Sequence, residues 1–471
     1  MTEMELPRTF VERVLRDLGT TEGEALCRAL DGEACVSIRV NPAKAEGLRG
    51  EQPARVSEVL PMLTAAGRVP WCADGFLLAG RPSFTFDSDF HAGAYYVQEA
   101  ASQFVGCLLQ GVPTFGARIL DLCAAPGGKT TLYASLVGRG GLVVANEIDR
   151  RRASVLADNV RKWGTGNVVV TTCEPHAVCD CEAWFDVVAV DAPCSGEGMF
   201  RKDPDARGEW SEGNVKQCAA RQDEILREAW RALRPGGTLV YSTCTFNRDE
   251  DEGALERMAA WAGDEIAESE ETAVEDAWGI VCGRVGAFRT FRFYPHRTCG
   301  EGFFAAVARK SFDAGGRVRA PKARRTVFAA VDRKTAGELA RWVRNPGGMR
   351  FAAVADTCYA WYAAQADAVR TLSEALPVIY SGVALGQVFK GVLKPDPALA
   401  FFDGLNRGAL PAAELDDEET LRFLRRQDIA AGGLAEGMNL VCSRGRALGF
   451  AKRIGARVNN LYPNSLRIIK Q

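Results

Sequence analysis

The chain has 471 residues, of which 47% are hydrophobic and 25% are charged, and its formal net charge is −2. This composition is typical of a globular protein, and the length predicts about three domains. The first residues lack the basic start and apolar centre of a signal peptide, and no apolar run approaches the roughly 20 residues of a membrane-spanning helix. We therefore expect a soluble, cytoplasmic protein without a membrane segment.

The cysteines and histidines do not form a metal-binding pattern. The 15 cysteines are scattered, and the chain has three histidines. Cys179 and Cys181 form a C-x-C pair, which alone is weak zinc spacing, so we expect no metal site. Most of these thiols are expected to be small buried side chains in a reducing compartment.

Basic residues are concentrated in three acid-free segments of the second half. Residues 283–300 interleave four arginines with aromatic side chains, residues 315–325 read G-G-R-V-R-A-P-K-A-R-R, and residues 438–471 carry seven Lys and Arg. Any one segment fits a solvated surface. Three of them together favour contact with a nucleic acid.

In chain order, the first predicted element is a helix over residues 8–18, R-T-F-V-E-R-V-L-R-D-L, whose apolar positions have helical spacing. S-I-R-V-N-P, residues 37–42, predicts a short strand that ends in a turn. These elements predict a small α-rich lobe over residues 1–88.

Strands and helices alternate between residues 117 and 246. Apolar runs rich in β-branched residues predict strands at 117–122, 141–147, 167–172, 185–191 and 238–243. Helices are predicted from Lys129, over 150–162, over 214–233, and after Asn247, which can cap the last of them. This order predicts an α/β fold with a parallel, Rossmann-type sheet covered on both faces.

The remainder of the chain predicts a linker and small β-rich units. Residues 311–326 are rich in Gly, Arg and Pro, which favours an exposed connection. A helix near 333–345 and later strand-like runs punctuated by glycine predict a middle domain over 327–395 and a last domain over 396–471.

A glycine loop, I-L-D-L-C-A-A-P-G-G-K-T-T, joins the first strand of the alternation to its first helix. A P-loop would have glycine where this chain has Cys123, and Pro126 removes a backbone donor, so we expect no nucleoside triphosphate site. Small residues allow a ligand to approach the backbone, and Glu147 after the second strand can accept hydrogen bonds from both hydroxyls of a ribose. The pattern fits either a dinucleotide or S-adenosylmethionine.

Two thiols follow predicted strands: Cys194 in V-D-A-P-C-S-G-E-G and Cys244 in Y-S-T-C-T-F. Either thiol alone would be interpreted as a buried structural residue. Together they would meet at the carboxyl ends of neighbouring strands, where open α/β sheets bind ligands. Such a pair suits addition of a thiolate to C6 of cytosine, which makes C5 nucleophilic enough to take a methyl group and then requires a second group for release.

D-L-C-A-A-P-G-G-K-T-T, V-D-A-P-C-S-G-E-G and Y-S-T-C-T, in this order and spacing, resemble the motifs of the S-adenosylmethionine-dependent RNA (cytosine-5) methyltransferases. H-A-G-A-Y-Y-V-Q-E-A-A-S (91–102) and F-R-K-D-P (200–204) extend the resemblance to roughly residues 89–310. The basic tail resembles the PUA-like domain of the bacterial branch that modifies small-subunit ribosomal RNA. The resemblance implies a Rossmann-like methyltransferase sheet over 89–310, flanked by an N-terminal RNA-binding lobe and C-terminal β-rich RNA-binding domains.

By position, the resemblance implies that Cys244 is the nucleophile, that Cys194 assists release of the methylated base, and that Asp191 hydrogen-bonds the cytosine edge. Lys129 would face the same pocket. Glu174 stands where the family usually has Asp beside the adenine. The residues implied to hold S-adenosylmethionine are Cys123, Ala124, Ala125, Pro126, Gly127, Gly128, Lys129, Glu147, Glu174 and Asp191.

The implied function is methylation of C5 of a cytidine in RNA, with 16S ribosomal RNA or a ribosomal particle as the partner. Three alternatives stay open: a tRNA cytosine-5 methyltransferase, a non-catalytic RNA-binding assembly factor, and a DNA cytosine methyltransferase. DNA enzymes attack from the Pro-Cys position without a Thr-Cys partner, so the second thiol favours RNA. The target base must leave any helix, and we expect the arginine-aromatic stretch at 284–297 and the basic tail to grip phosphates and stack bases.

Overall fold

The computed structural model describes residues 5–315 and 318–470. The beginning of the predicted N-terminal lobe, residues 1–4, lies outside the described residues, as do residues 316–317 of the predicted linker and basic segment and residue 471. In the described part of the chain, no helix is long and apolar enough to cross a lipid bilayer.

The N-terminal part combines short helices with a small antiparallel sheet. Its elements are α1 (Arg8–Leu18), α2 (Thr20–Leu30), α3 (Ala54–Val59), α4 (Ser88–His91), β1 (Ser37–Val40), β2 (Ala65–Arg68), β3 (Gly75–Leu78) and β4 (Tyr95–Val97). The predicted first helix and first strand are confirmed, and the sheet order is β2-β3-β1-β4. The other three strands were missed because runs of three or four residues carry little periodicity.

The predicted alternation of strands and helices is confirmed in the central part. Its parallel strands are β5 (Arg118–Asp121), β6 (Leu142–Asn146), β7 (Val168–Thr171), β8 (Phe185–Asp191) and β9 (Leu233–Thr243). Its helices are α5 (Gly128–Val137), α6 (Arg150–Trp163), α7 (Pro175–Val178), α8 (Asp205–Glu209), α9 (Glu212–Ala232) and α10 (Glu252–Ala262). Buried side chains form a core on each face of this sheet, as expected for a layer covered on both sides.

The central sheet is mixed rather than purely parallel, because antiparallel strands extend it beyond β9. These strands are β10 (Ile266–Ala267), β11 (Val281–Val285), β12 (Phe288–Phe293) and β13 (Phe303–Lys310). β13 pairs antiparallel with β9, and β12 and β11 follow toward the edge. Hydrophobic patterning marks strands but does not show their direction.

The second half forms two further sheets and also adds a strand to the central sheet. Its elements are β14 (Ala329–Ala330), α11 (Arg333–Arg341), β15 (Met349–Val354), β16 (Thr357–Tyr362), α12 (Ala366–Ala375), β17 (Val378–Ser381), β18 (Val383–Phe389), β19 (Val392–Pro395), α13 (Pro397–Phe401), β20 (Ala412–Glu414), α14 (Asp417–Leu424), β21 (Gly437–Ser443), β22 (Arg446–Ile454) and β23 (Arg457–Asn460). β17 pairs antiparallel with β7, so the central sheet has ten strands, with the main path β11-β12-β13-β9-β8-β5-β6-β7-β17.

Asn247 does not cap α10, contrary to the sequence prediction. Its side-chain oxygen accepts a hydrogen bond from the Asp249 amide in a turn before the helix, and Asp251 precedes the first helical residue. Asp251 is buried and its carboxylate lies 2.7 Å from a guanidinium nitrogen of Arg292. The turn therefore serves to place a carboxylate against a buried arginine.

Residues 284–297 do not form the predicted RNA-binding surface. Their phenylalanines at 288, 291 and 293 are buried. Each of the four arginines pairs with a carboxylate: Arg284 with Glu268, Arg289 with Glu271, Arg292 with Asp251 and Glu252, and Arg297 with Glu22. The prediction was wrong because these partners lie 16 to 275 residues away and are invisible in local sequence.

Part of the basic tail holds the C-terminal sheet against the N-terminal part. Arg446 donates to the Asp89 carboxylate at 2.8 Å and to the backbone carbonyls of Lys44 and Val59 at 3.0 and 3.1 Å. Arg444 lies 3.5 Å from the same carboxylate. These two arginines therefore have a structural role.

Replacement of Arg446 by alanine is expected to destabilise the fold by about 3–5 kcal/mol, because it leaves the buried Asp89 carboxylate without its closest cation. Urea unfolding measures the change in the free energy of unfolding. Lys452→Ala, an exposed change on the same strand, is the matched control and should change that free energy by less than about 0.5 kcal/mol. Equal stability of the two variants would contradict this role of Arg446.

Candidate active site

The two predicted thiols lie side by side at one edge of the central sheet. Strands β8 and β9 are parallel neighbours, and the segments that follow them bring the Cys194 and Cys244 sulfur atoms to 3.2 Å. The next residue on each segment fixes this approach, because the hydroxyls of Ser195 and Thr245 are hydrogen-bonded at 3.0 Å. The arrangement creates a pair of interacting thiols at the carboxyl ends of the strands, where α/β sheets bind ligands.

An ion pair lies next to the thiols. The Lys129 ammonium is 2.9 Å from one Asp191 oxygen, and the Ser242 hydroxyl donates to the other at 2.7 Å. Burial alone would lower the pKa of Lys129, but the charges of Asp191 and then Cys244 raise it above its usual value. Lys129 is therefore a permanent cation beside the pair of thiols.

The surroundings of the Cys194 thiol oppose its ionisation. The hydrogen bond with Cys244, followed by burial, holds the pKa of Cys194 well above its usual value. The Cys244 amide also donates to the Cys194 sulfur at 3.3 Å. The protonated form of Cys194 is thus favoured while the two thiols face each other.

The glycine loop turns tightly between β5 and α5. Gly127 has φ +111°, a conformation that side-chain-bearing residues rarely adopt, so the turn requires glycine there. Below the loop Asp121 is buried, which raises its pKa to about 7, and it accepts a 2.6 Å hydrogen bond from Thr130. The Asn146 amide donates to the carbonyls of Leu122 and Cys173, tying the ends of three strands together.

Seven of the ten predicted cofactor residues line one pocket, whereas Gly127, Glu147 and Glu174 are not part of its wall. Its wall is made by residues 123–126, Gly128 and Lys129, with Asp191 at the side of the thiols. Glu147, 3% exposed at the end of β6, has one oxygen bonded to the Asp149 amide at 3.1 Å and the other 3.5 Å from Arg152. Small walls suit close approach of the methionine portion, and a strand-end carboxylate suits ribose hydroxyls.

Glu174 occupies a different position from the rest of the predicted set. It is exposed and immediately precedes the short helix α7, without capping it through its side chain. The pocket of about 160 Å³ that contains the glycine loop is not lined by this residue. Among the described residues, no group of three or more His, Cys, Asp or Glu could hold a metal ion.

Sequence reasoning missed the side of the pocket made by the N-terminal part. Tyr96, Gln98 and Glu99 line it, together with Lys202 from the F-R-K-D-P segment. The motifs that contain these residues were recognised, but no role was assigned to individual positions, since nothing local distinguishes them from structural residues.

Arg39 connects β1 to the glycine-loop helix. It is 2% exposed, donates to Gln98 at 2.8 Å and Thr131 at 2.6 Å, and lies 4.5 Å from the centroid of the Trp163 ring. Burial lowers its pKa to about 10. An arginine within the apolar run of a short strand was the sequence signal for this contact.

Comparison with known proteins gives three consecutive family matches. Residues 6–100 match the N-terminal domain of 16S rRNA methyltransferase RsmF, residues 110–309 match 16S rRNA methyltransferase RsmB/F, and residues 411–468 match the methyltransferase RsmF PUA domain. Ribosomal RNA small subunit methyltransferase F of Erwinia tasmaniensis is 31% identical over 435 residues, covering 87% of this chain and 86% of that protein. The chain belongs to this methyltransferase family.

Solved structures agree with this membership. A methyltransferase homologue from Pyrococcus horikoshii is 26% identical, with a TM-score of 0.51, over 64% of this chain and 95% of that one. NSun6 from the same organism, solved with SFG, shares the fold at 21% identity and a TM-score of 0.54, over 66% of this chain and 99% of that one. The predicted family and Rossmann-like methyltransferase fold are therefore confirmed, and the protein is an S-adenosylmethionine-dependent RNA methyltransferase.

Proposed function

We propose that this enzyme methylates C5 of a cytidine in 16S ribosomal RNA through a transient bond between the Cys244 sulfur and C6 of the base. The observation that carries the proposal is the pair of sulfur atoms 3.2 Å apart beside the Lys129–Asp191 ion pair. One thiol can attack the ring while the other remains within reach of the reacting atoms. The names of the matched relatives supply the choice of small-subunit ribosomal RNA.

The reaction begins when Cys244, reacting as the thiolate, bonds to C6. The C5–C6 double bond breaks and its electrons make C5 nucleophilic. Asp191, already oriented by Ser242 and Lys129, hydrogen-bonds the edge of the base that carries the exocyclic amine. The carboxylate thereby holds the ring against the thiol during addition.

When bound, S-adenosylmethionine would be held by residues 123–129 with Glu147 at the ribose, and it would supply the electrophilic methyl group that C5 takes, while the exposed Glu174 has no contact with this pocket. Once the Cys244 sulfur is bonded to carbon, Cys194 releases its own proton to solvent and, as the thiolate, removes the C5 proton. The electrons of that C–H bond restore the C5–C6 double bond, and Cys244 leaves C6 as a thiolate. The second thiol is therefore needed for release rather than for attack.

We propose five segments for the chain: an RNA-binding lobe (1–88), the methyltransferase domain (89–310), a linker (311–326), a middle domain (327–395) and a PUA-like RNA-binding domain (396–471). Strand β13, the last strand before the proposed linker, ends at Lys310. The described residues of 311–326 contain no helix or strand. The last segment carries a sheet of its own, of order β20-β21-β22-β23. The RNA is either free or already part of a ribosomal particle.

RNA containing 5-fluorocytidine tests the proposal. Fluorine at C5 cannot be removed as a proton, so we expect an adduct between protein and RNA that survives a denaturing gel and requires S-adenosylmethionine. Protein-free 16S RNA and purified small subunits are given in parallel, with DNA of the same sequence as the control. Absence of an adduct with both RNA substrates, or a methylated nucleoside other than 5-methylcytidine in unmodified RNA, would contradict the proposal.

A further inference from the structure

A second cleft opens beside the catalytic pocket. It has a volume of about 590 Å³ and lies between the β4 region and α6, with Lys470 of the C-terminal segment at its margin. Tyr96 lines both this cleft and the catalytic pocket. Its hydroxyl donates to the Pro126 carbonyl of the glycine loop at 3.1 Å, so the two spaces share a wall that touches the cofactor loop.

The cleft combines aromatic walls with positive charge. Its aromatic lining residues are Phe84, Phe90, Tyr95, Tyr96 and Trp163, and its cations are Arg81, Lys162 and Lys470. Among the described residues that line it, none is Asp or Glu. Aromatic faces that stack bases, together with cations that meet phosphates, are the features by which proteins hold single-stranded nucleic acid.

Two polar groups that line the cleft lack a partner: one has no hydrogen-bond acceptor and the other has no carboxylate. The indole N–H of Trp163 has no hydrogen-bond acceptor among the described residues, although this side chain is only 2% exposed. Lys162 lies 4.4 Å from the centroid of the Phe90 ring and makes no ion pair with a carboxylate of the described chain. Burial lowers the pKa of Lys162 to about 8, with Asp158 acting in the opposite direction, so the ammonium keeps most of its charge at neutral pH and an arriving phosphate would stabilise it further.

We propose that this cleft binds a nucleotide of the substrate RNA that flanks the target cytidine, with the base between the aromatic walls and the phosphates on Arg81 and Lys162. The inference rests on the proposed function, because it assumes that the target base enters the neighbouring pocket. Holding a flanking nucleotide would keep the RNA strand in place while the target base is turned out. It would also make the enzyme sensitive to the base beside its target.

Photo-cross-linking within the trapped complex tests the position of the strand. RNA carrying 5-fluorocytidine at the target receives 5-iodouridine at one flanking position at a time, and cross-linked peptides are identified by mass spectrometry. We expect one or two positions to cross-link to Phe90, Tyr96 or Trp163. If the adduct forms but every cross-link maps outside the cleft, this inference fails while the proposed function stands. If no adduct forms, both fail.

Variants test the contribution of the cleft to affinity. Arg81→Ala/Lys162→Ala is expected to weaken RNA binding about tenfold and to reduce the dependence of log K on log salt concentration by about 1–2. Phe90→Ala is expected to weaken binding about tenfold by loss of stacking. Arg341→Ala/Arg370→Ala removes two positive charges from exposed helix positions of the middle domain and should leave RNA affinity unchanged.

The other molecule whose chemistry suits this cleft is the adenosine of the cofactor. Measuring the affinity for S-adenosylmethionine distinguishes that occupant from an RNA nucleotide. We expect the cofactor affinity and melting temperature of the Arg81→Ala/Lys162→Ala variant to equal those of the wild-type enzyme. Weaker cofactor binding with unchanged RNA binding would overturn the inference and assign the cleft to the cofactor. RNA affinity equal to that of the Arg341→Ala/Arg370→Ala control would overturn it as well.

Discussion

Alanine at position 244 is expected to abolish methylation, lowering the rate by roughly 10⁴-fold or more, because it removes the sulfur atom that is proposed to bond to C6. Transfer of a labelled methyl group to RNA measures the rate. Affinity for S-adenosylmethionine should be retained, since the small residues of the glycine loop and Glu147 are untouched. The variant should also form no adduct with RNA that contains 5-fluorocytidine.

Cys282→Ala is the matched control for this experiment. Cys282 is an exposed free thiol on β11, remote in sequence from both motifs, so its removal should leave the rate unchanged. A Cys244→Ala enzyme that still methylates C5 within tenfold of the wild-type rate would exclude Cys244 as the nucleophile.

Alanine at position 194 is expected to trap the enzyme on ordinary RNA. The hydrogen bond with Cys244 is the largest cause of the raised pKa of Cys194. Once the Cys244 sulfur is bonded to carbon, it can no longer raise the pKa of Cys194 through that hydrogen bond. Cys194 then ionises more easily, and its thiolate can take the C5 proton. Without that thiol the methylated adduct persists.

The trapped species is measured as a protein band that shifts on a denaturing gel and returns after ribonuclease treatment. We expect most of the Cys194→Ala enzyme to shift with unmodified RNA, and the double variant Cys194→Ala/Cys244→Ala to show no shift. If Cys244→Ala instead accumulates the adduct and Cys194→Ala loses it, the roles of the two thiols are reversed.

Much of the catalytic architecture could be predicted from local sequence. Apolar runs of four to eight residues, separated by amphipathic segments, are sufficient to indicate parallel strands joined by helices. Since ligands bind at the carboxyl ends of such strands, a cysteine directly after each of two runs could be placed at the reacting edge before any coordinates were known. The glycine loop and Glu147 were located by the same argument.

The arginines show where this kind of reasoning ends. Arg292 and Arg446 both lie in basic segments that suggest contact with RNA, yet each pairs with a carboxylate in a buried setting. Arg446 reaches Asp89 across 357 positions of the chain. The charges of a segment can be counted from its sequence. The sequence of that segment does not show which opposite charges the folded chain places beside them.

Local patterning was thus enough to establish the order of strands and helices from β5 to β9, the family motifs and the two thiols, because hydrophobic period and turn chemistry act over a few neighbouring residues. Only tertiary structure decided the direction of β13, the insertion of β17 beside β7, the 3.2 Å approach of the sulfur atoms, and the cleft lined by Tyr96 and Trp163. These features depend on contacts between distant parts of the chain, whose geometry follows from the packing of whole layers.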